Sequence, residues 1–131
     1  MLRSVIGVVV GLVVWMAGFT LMGILLANLW PDYAVHGRAW FRENVFTFTS
    51  LMACFNLLLW ALAAIGAGWA AMRIAQRHQA VYVLAALVFM YLALNHLVLY
   101  WPRFPWWYNL GVVIPCVPAV LFGGRLARGS K

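Results

Sequence analysis

The sequence predicts an all-α integral membrane protein, a four-helix bundle of two consecutive helical hairpins that forms one transmembrane domain over residues 1–131. Three observations carry this prediction. Hydrophobic residues make up 67% of the chain and charged ones 8%, and the mean hydropathy is +0.96, a balance unlike that of a water-soluble domain. Four apolar runs, near residues 4–30, 45–75, 81–101 and 106–126, each suffice to cross a hydrocarbon core of about 30 Å at about 1.5 Å per residue. The segments between them are too short to build anything else.

The first run begins after Arg3 and reaches Trp30. That is far longer than the roughly 7–15 apolar residues of a signal peptide, and Leu26-Ala27-Asn28-Leu29 is a poor cleavage site, so a retained span is expected. Gly7, Gly11 and Gly18 give it a small-residue face of the kind that lets helices approach closely in lipid. The segment PDYAVHGRAWFREN follows, with both acids of the chain, Asp32 and Glu43. Its charge spacing predicts short interfacial helices interrupted at Gly37, within a solvated re-entry loop.

In the second run Thr47, Ser50, Cys54, Ala61, Ala64, Gly68 and Ala71 form a stripe at steps of three and four, the expected packing face. The third run offers Tyr82, Ala86, Phe89, Ala93, His96 and Tyr100 on one face, and the fourth Gly111, Pro115, Ala119, Gly123 and Ala127. Pro115 and Pro118 lack an N–H and crowd the preceding turn, so a bend or local opening is expected there. Both even-numbered runs end in small residues and then an R-[IL]-A step, Arg73-Ile74-Ala75 and Arg125-Leu126-Ala127, as two parallel hairpins would. Between the third and fourth runs stands YWPRFPWWYN, residues 100–109, whose Trp and Tyr read as an aromatic girdle at the bilayer boundary.

Counting Lys and Arg beside the runs sets the expected orientation. Arg3, Arg73, Arg77, Arg125, Arg128 and Lys131 fall on one side, and Arg38, Arg42 and Arg103 on the other, which puts both termini in the cytoplasm of a bacterial inner membrane. The net charge of +7 is scattered over these ends and forms no patch for nucleic acid. Cys54 and Cys116 read as small apolar residues, with no CxxC pair and no disulfide expected.

Polar side chains inside a span are costly and are the natural site candidates. Here they are Asn56, Asn95, His96 and Asn109, with Asn28 near the boundary. His96 is expected to point into the bundle, bonded to Asn56 or to a hydroxyl. No acid lies within a run, which weighs against proton-coupled export and cation conduction. His36, His78 and His96 are isolated, no metal-ligand spacing occurs, and no nucleophile has a base and an acid at hand. Neither catalysis nor a cofactor is expected.

The run Gly68-Trp69-Ala70-Ala71-Met72-Arg73-Ile74-Ala75, the turn Pro105-Trp106-Trp107 and the ending Pro118 to Gly123-Gly124-Arg125-Leu126-Ala127 together resemble a class of small four-span bacterial inner-membrane proteins with no assigned activity. The resemblance covers the second half of the chain and, in the first run, only the exit Leu29-Trp30-Pro31. It implies fold and compartment and assigns no functional residue. The expected role is association with lipid and with a membrane-protein partner or a second copy, as an accessory subunit or self-associating bundle. An oligomeric channel or carrier for a small neutral or anionic solute is the alternative.

Overall fold

The computed structural model describes residues 1–43 and 45–129. Asn44, Ser130 and Lys131 lie outside the described residues, and with them the Lys131 charge used in the orientation count. Five helices follow one another: α1 Leu2–Leu29, α2 Pro31–Glu43, α3 Ser50–Ala75, α4 His78–Ala93, extended by a wider π-helical stretch Leu94–Leu99, and α5 Trp106–Gly129. No strand occurs among the described residues. α1, α3, α4 with its extension, and α5 are long and apolar enough to cross a membrane.

Local chemistry sets the boundaries. Pro31 crowds the residue before it, so Trp30 is extended at φ −135° and ψ 92°, and the chain restarts as α2 with proline in the first helical position. Residues 45–49 are not helical, and α3 starts at Ser50 because the Thr49 hydroxyl accepts a hydrogen bond from the Met52 amide at 3.4 Å. α3 ends at Gln76, whose left-handed backbone (φ 54°) turns the chain into α4. α5 continues as one helix through Pro115 and Pro118, both of which are exposed.

α1 and α3 form one antiparallel hairpin, with Gly7 beside Ala75 and Gly18 beside Ala63. α4 and α5 form the other, with Gly124 beside Val81 and Asn109 bonded to His96. The hairpins join along α3 and α5, which run parallel, Gly111 lying beside Leu57 and Gly68 beside Val120. A Cβ at Gly68 would fall on the Val120 carbonyl, and one at Gly123 on the Ile65 carbonyl, so backbone meets backbone here. The register that aligns Arg73 with Arg125 also aligns Gly68 with Val120, so the two R-[IL]-A ends lie side by side.

The packing faces agree in part with those read in the sequence. Gly7 and Gly11 are close-approach sites, a Cβ at Gly7 lying 2.8 Å from the Ala75 Cβ, whereas at Gly18 the nearest atom is at 3.7 Å, an ordinary contact. On α3 the expected stripe holds at Ala64, Gly68 and Ala71, which are buried together with Met52, Ala53, Asn56, Ala63 and Ala67, while Ser50 and Cys54 are exposed. On α4 the expected face holds only toward its end, where His96 is buried and Ala93 and Tyr100 are half-buried. Tyr82, Ala86 and Phe89 are exposed, and Leu84, Val88, Leu92 and His96, one every four residues, are buried. On α5, Ala119, Gly123 and Ala127 are buried but Pro115 is not. Cys54 and Cys116 are both free thiols, the first exposed and the second buried.

The largest correction concerns α2. It is one continuous helix through Gly37, and neither broken nor a solvated loop, because Tyr33 and Trp40, two turns apart, enter the core together. It folds back over the bundle, with Trp40 edge-on to Phe19 of α1 at 6.4 Å and tilted against Phe104 at 6.3 Å.

Overfilling the α3–α5 contact should be the most damaging small change in the chain. Gly68→Ala and Gly123→Ala are each expected to cost about 1–3 kcal/mol, while Gly18→Ala should stay within about 0.5 kcal/mol. Thermal unfolding of the purified proteins in detergent checks this, and equal tolerance of all three would contradict the packing described.

Candidate functional site

The polar side chains converge at the α2 end of the bundle in two adjoining networks. The first centres on Asn56, on α3, which is 1% exposed. Its carboxamide oxygen accepts from the Tyr108 hydroxyl at 2.6 Å and from the Trp60 indole at 3.1 Å, and its amide nitrogen donates to the Tyr33 hydroxyl at 2.6 Å. One side chain thus ties α2, α3 and α5 together. Burial pushes the Tyr33 hydroxyl pKa up, against a smaller opposing effect of the Asn56 hydrogen bond, so Tyr33 stays neutral.

The second network joins α4 to α5. His96 Nδ1 lies 3.0 Å from Asn109 Oδ1, and Asn109 Nδ2 donates to the Phe104 carbonyl at 3.3 Å. Since that donation fixes which end of the amide faces the ring, and a carboxamide oxygen only accepts, Nδ1 carries the proton and Nε2 is left with its lone pair. His96 stands in the π-helical stretch, a wide turn common where a helix places a side chain for a purpose. The networks touch through rings, the His96 ring centroid lying 6.1 Å from Tyr108 and 6.3 Å from Trp60.

Of the residues singled out in the sequence, Asn56, His96 and Asn109 are buried. His96 bonds Asn109, where Asn56 or a hydroxyl was expected. Asn95 joins neither network: it is half-buried and donates to the Tyr91 carbonyl of its own helix at 2.8 Å. Asn28 likewise bonds back, to Ile24. Thr47 holds α2 from outside the bundle, its hydroxyl 2.7 Å from His36 Nδ1.

Sequence reasoning missed Tyr33, Trp60 and Tyr108, the partners of Asn56. The segment 100–109 serves two purposes: Trp101, Trp106 and Trp107 are exposed as a girdle would be, while Phe104 and Tyr108 are buried and Tyr100 stacks on Phe104 at 4.9 Å. The spacing of Tyr33 and Trp40 behind a helix-starting proline was the available signal for α2.

Two hollows adjoin these networks. A cleft of about 250 Å³ between α1 and α4 is walled by Trp15, Phe19, Trp40, Trp60, Tyr91 and His96. A groove of about 400 Å³ between α1 and α2 passes Gly23 and Gly37 and ends at Arg38 and Arg42. The Trp15 indole nitrogen is buried and has no hydrogen-bond partner among the described residues. Among those residues, no three His, Cys, Asp or Glu side chains come together as a metal site. Comparison with protein families, with characterised proteins and with solved structures finds no match to this chain.

Removing the central amide should be costlier than removing its peripheral neighbour. Asn56→Leu leaves the Tyr33, Trp60 and Tyr108 polar groups without their shared partner and is expected to destabilise by about 1–3 kcal/mol. Asn95→Leu loses only a bond within its own helix and should change little. Detergent unfolding midpoints rank the two, and an Asn95 variant as unstable as the Asn56 variant would show that the knot has been misassigned.

Proposed function

We propose that this chain is a non-enzymatic, multi-pass protein of the bacterial inner membrane, with both termini in the cytoplasm, that works by association as an accessory subunit or self-associating bundle. The observation that carries the reading is the way α2 is mounted. Its inner face is locked down by Tyr33, Trp40 and the Asn56 knot, while Asp32, Val35, Arg38, Arg42 and Glu43 are exposed on the other side. A rigid helix with a mixed-charge outer face recognises a partner at little ordering cost. The buried polar groups support the same reading, since Asn56 and Asn109 are engaged in internal bonds, as interhelical ties are.

The carrier reading is second. At the end holding both termini, α3 and α5 meet backbone to backbone at Gly68 and Gly123, which weighs against a solute path through one chain. The orientation rests on Arg3, Arg73, Arg77, Arg125 and Arg128 at that end, opposite Arg38, Arg42 and Arg103.

Two experiments test this. Purified gently from native membranes, the tagged protein should bring a stoichiometric partner or a second copy. The double change Arg38→Glu, Arg42→Glu should abolish that association without lowering the unfolding midpoint, and a strictly monomeric, unaccompanied wild-type protein would contradict the proposal. Reporter fusions at Gly129 and at Gly37 should respond as cytoplasmic and external respectively, and the reverse pattern would overturn the orientation.

A further inference from the structure

The cleft between α1 and α4 has features that association through α2 does not use. Its walls are chiefly aromatic, from Trp15 and Phe19 on α1, Trp40 on α2, Trp60 on α3 and Tyr91 on α4. Among the described residues, no acidic or basic side chain other than His96 lines it. Met16, Thr20 and Tyr91 on its rim are exposed on the flank of two candidate membrane spans, so the cleft opens toward lipid. A dry cavity of about 150 Å³ accepts benzene, so about 250 Å³ is room for one substituted ring.

Among the polar groups on the walls, two are complementary. His96 lines the cleft, and with Nδ1 spent on Asn109, Nε2 is its remaining nitrogen, an acceptor with no hydrogen bond to any described residue. Trp15 lines it too, 4% exposed, with a buried indole N–H that has no partner among the described residues. A buried donor left unmade is costly, and native proteins keep few of them. An occupant that donates to Nε2 and accepts from the indole would satisfy both.

We propose that this cleft is a binding site for a membrane-soluble, uncharged aromatic ring that carries a hydroxyl group and a second oxygen, the chemistry of a hydroquinone. The ring packs among the aromatic walls, where offset and edge-on contacts add to burial. Its hydroxyl donates to His96 Nε2, and an oxygen accepts from Trp15 Nε1. A charged occupant finds no counter-charge in the cleft, and a hydrocarbon leaves both polar groups unmet. Entry is from the bilayer, which concentrates such a ligand beside the rim. The site is separate from the outer face of α2, so it stands or falls independently of the association proposed above.

The test uses the full chain in nanodiscs of synthetic phosphatidylcholine, titrated under reducing, oxygen-free conditions with 2-decylhydroquinone, and separately without reductant with 2-decyl-1,4-benzoquinone and with decylbenzene. These probes share a tail and differ in the head group. Calorimetry should give saturable one-to-one binding of the hydroquinone, quinone binding weaker by about tenfold for the lost donor, and no saturable binding of decylbenzene. Trp15→Phe should weaken hydroquinone binding by about tenfold. Thr20→Phe, on the exposed rim, should fill the cleft and abolish binding with an unchanged unfolding midpoint. Equal uptake of the three probes would mean partition into lipid and would overturn the site. So would absence of hydroquinone binding to the wild-type protein, as when water alone fills the cleft, or wild-type binding by the folded Thr20→Phe variant.

Discussion

A polar group inside an apolar bundle has to find its partner within the chain, and at Asn56 that constraint organises half of the molecule. Hydrocarbon offers the carboxamide nothing, so its oxygen takes hydrogen bonds from Tyr108 and Trp60 and its nitrogen gives one to Tyr33. Because Tyr33 belongs to α2, the knot draws a helix of mixed polarity down onto the spans. Trp40 follows two turns later, meeting Phe19, Phe48 and Phe104, and becomes a wall of the cleft. Each such bond in a membrane bundle is worth only about 0.6 kcal/mol on average. Three converging on one amide, backed by packed rings, hold α2 where a single bond would not.

The two ends of the bundle are held by different physics. At the end with the termini, small residues let backbones meet and dispersion does the work, since lipid leaves no hydrophobic drive between helices. Gly7, Gly11, Gly68 and Gly123 are the contact points. At the α2 end rings and hydrogen bonds fill the space between helices. The change from one regime to the other leaves the cleft, lying above the level where Gly11 brings α1 against Leu84 of α4. Trp15, one turn after Gly11, is buried there as one wall of the cleft.

The fold class and the four long helices were legible in the sequence because apolar run length is a strong signal. Boundaries and faces were less so, for reasons that can be named. Residues 45–49 are as apolar as a helix, so hydropathy ran past the Thr49 cap. On α4 lipid-facing and core-facing residues are both apolar, and the faces lack the contrast that a water-exposed helix shows. Small Ala86 therefore looked inward, when Leu84, Val88 and Leu92 are the buried set. Gly37 looked like a break, but its intrinsic cost of about 1 kcal/mol is outweighed by placing Tyr33 and Trp40 in the core. Asn56, His96 and Asn109 stood out because buried polarity is expensive. Their aromatic partners were hidden because Tyr and Trp near a span end ordinarily read as girdle. Asn95, adjacent to His96, shows that polarity alone does not decide: its donor is satisfied one turn back in its own helix.

The central claim is that the Asn56 knot fixes α2 to the bundle. Amide hydrogen exchange of α2, in wild-type protein and in Asn56→Leu, tests it most directly. The account predicts that amides of residues 34–43 exchange as slowly as those of the packed helices in the wild-type protein. It further predicts that they become fast in the variant while the α3–α5 contact around Gly68 and Gly123 stays protected. Fast exchange of α2 in the wild-type protein, or protection that Asn56→Leu leaves untouched, would contradict it.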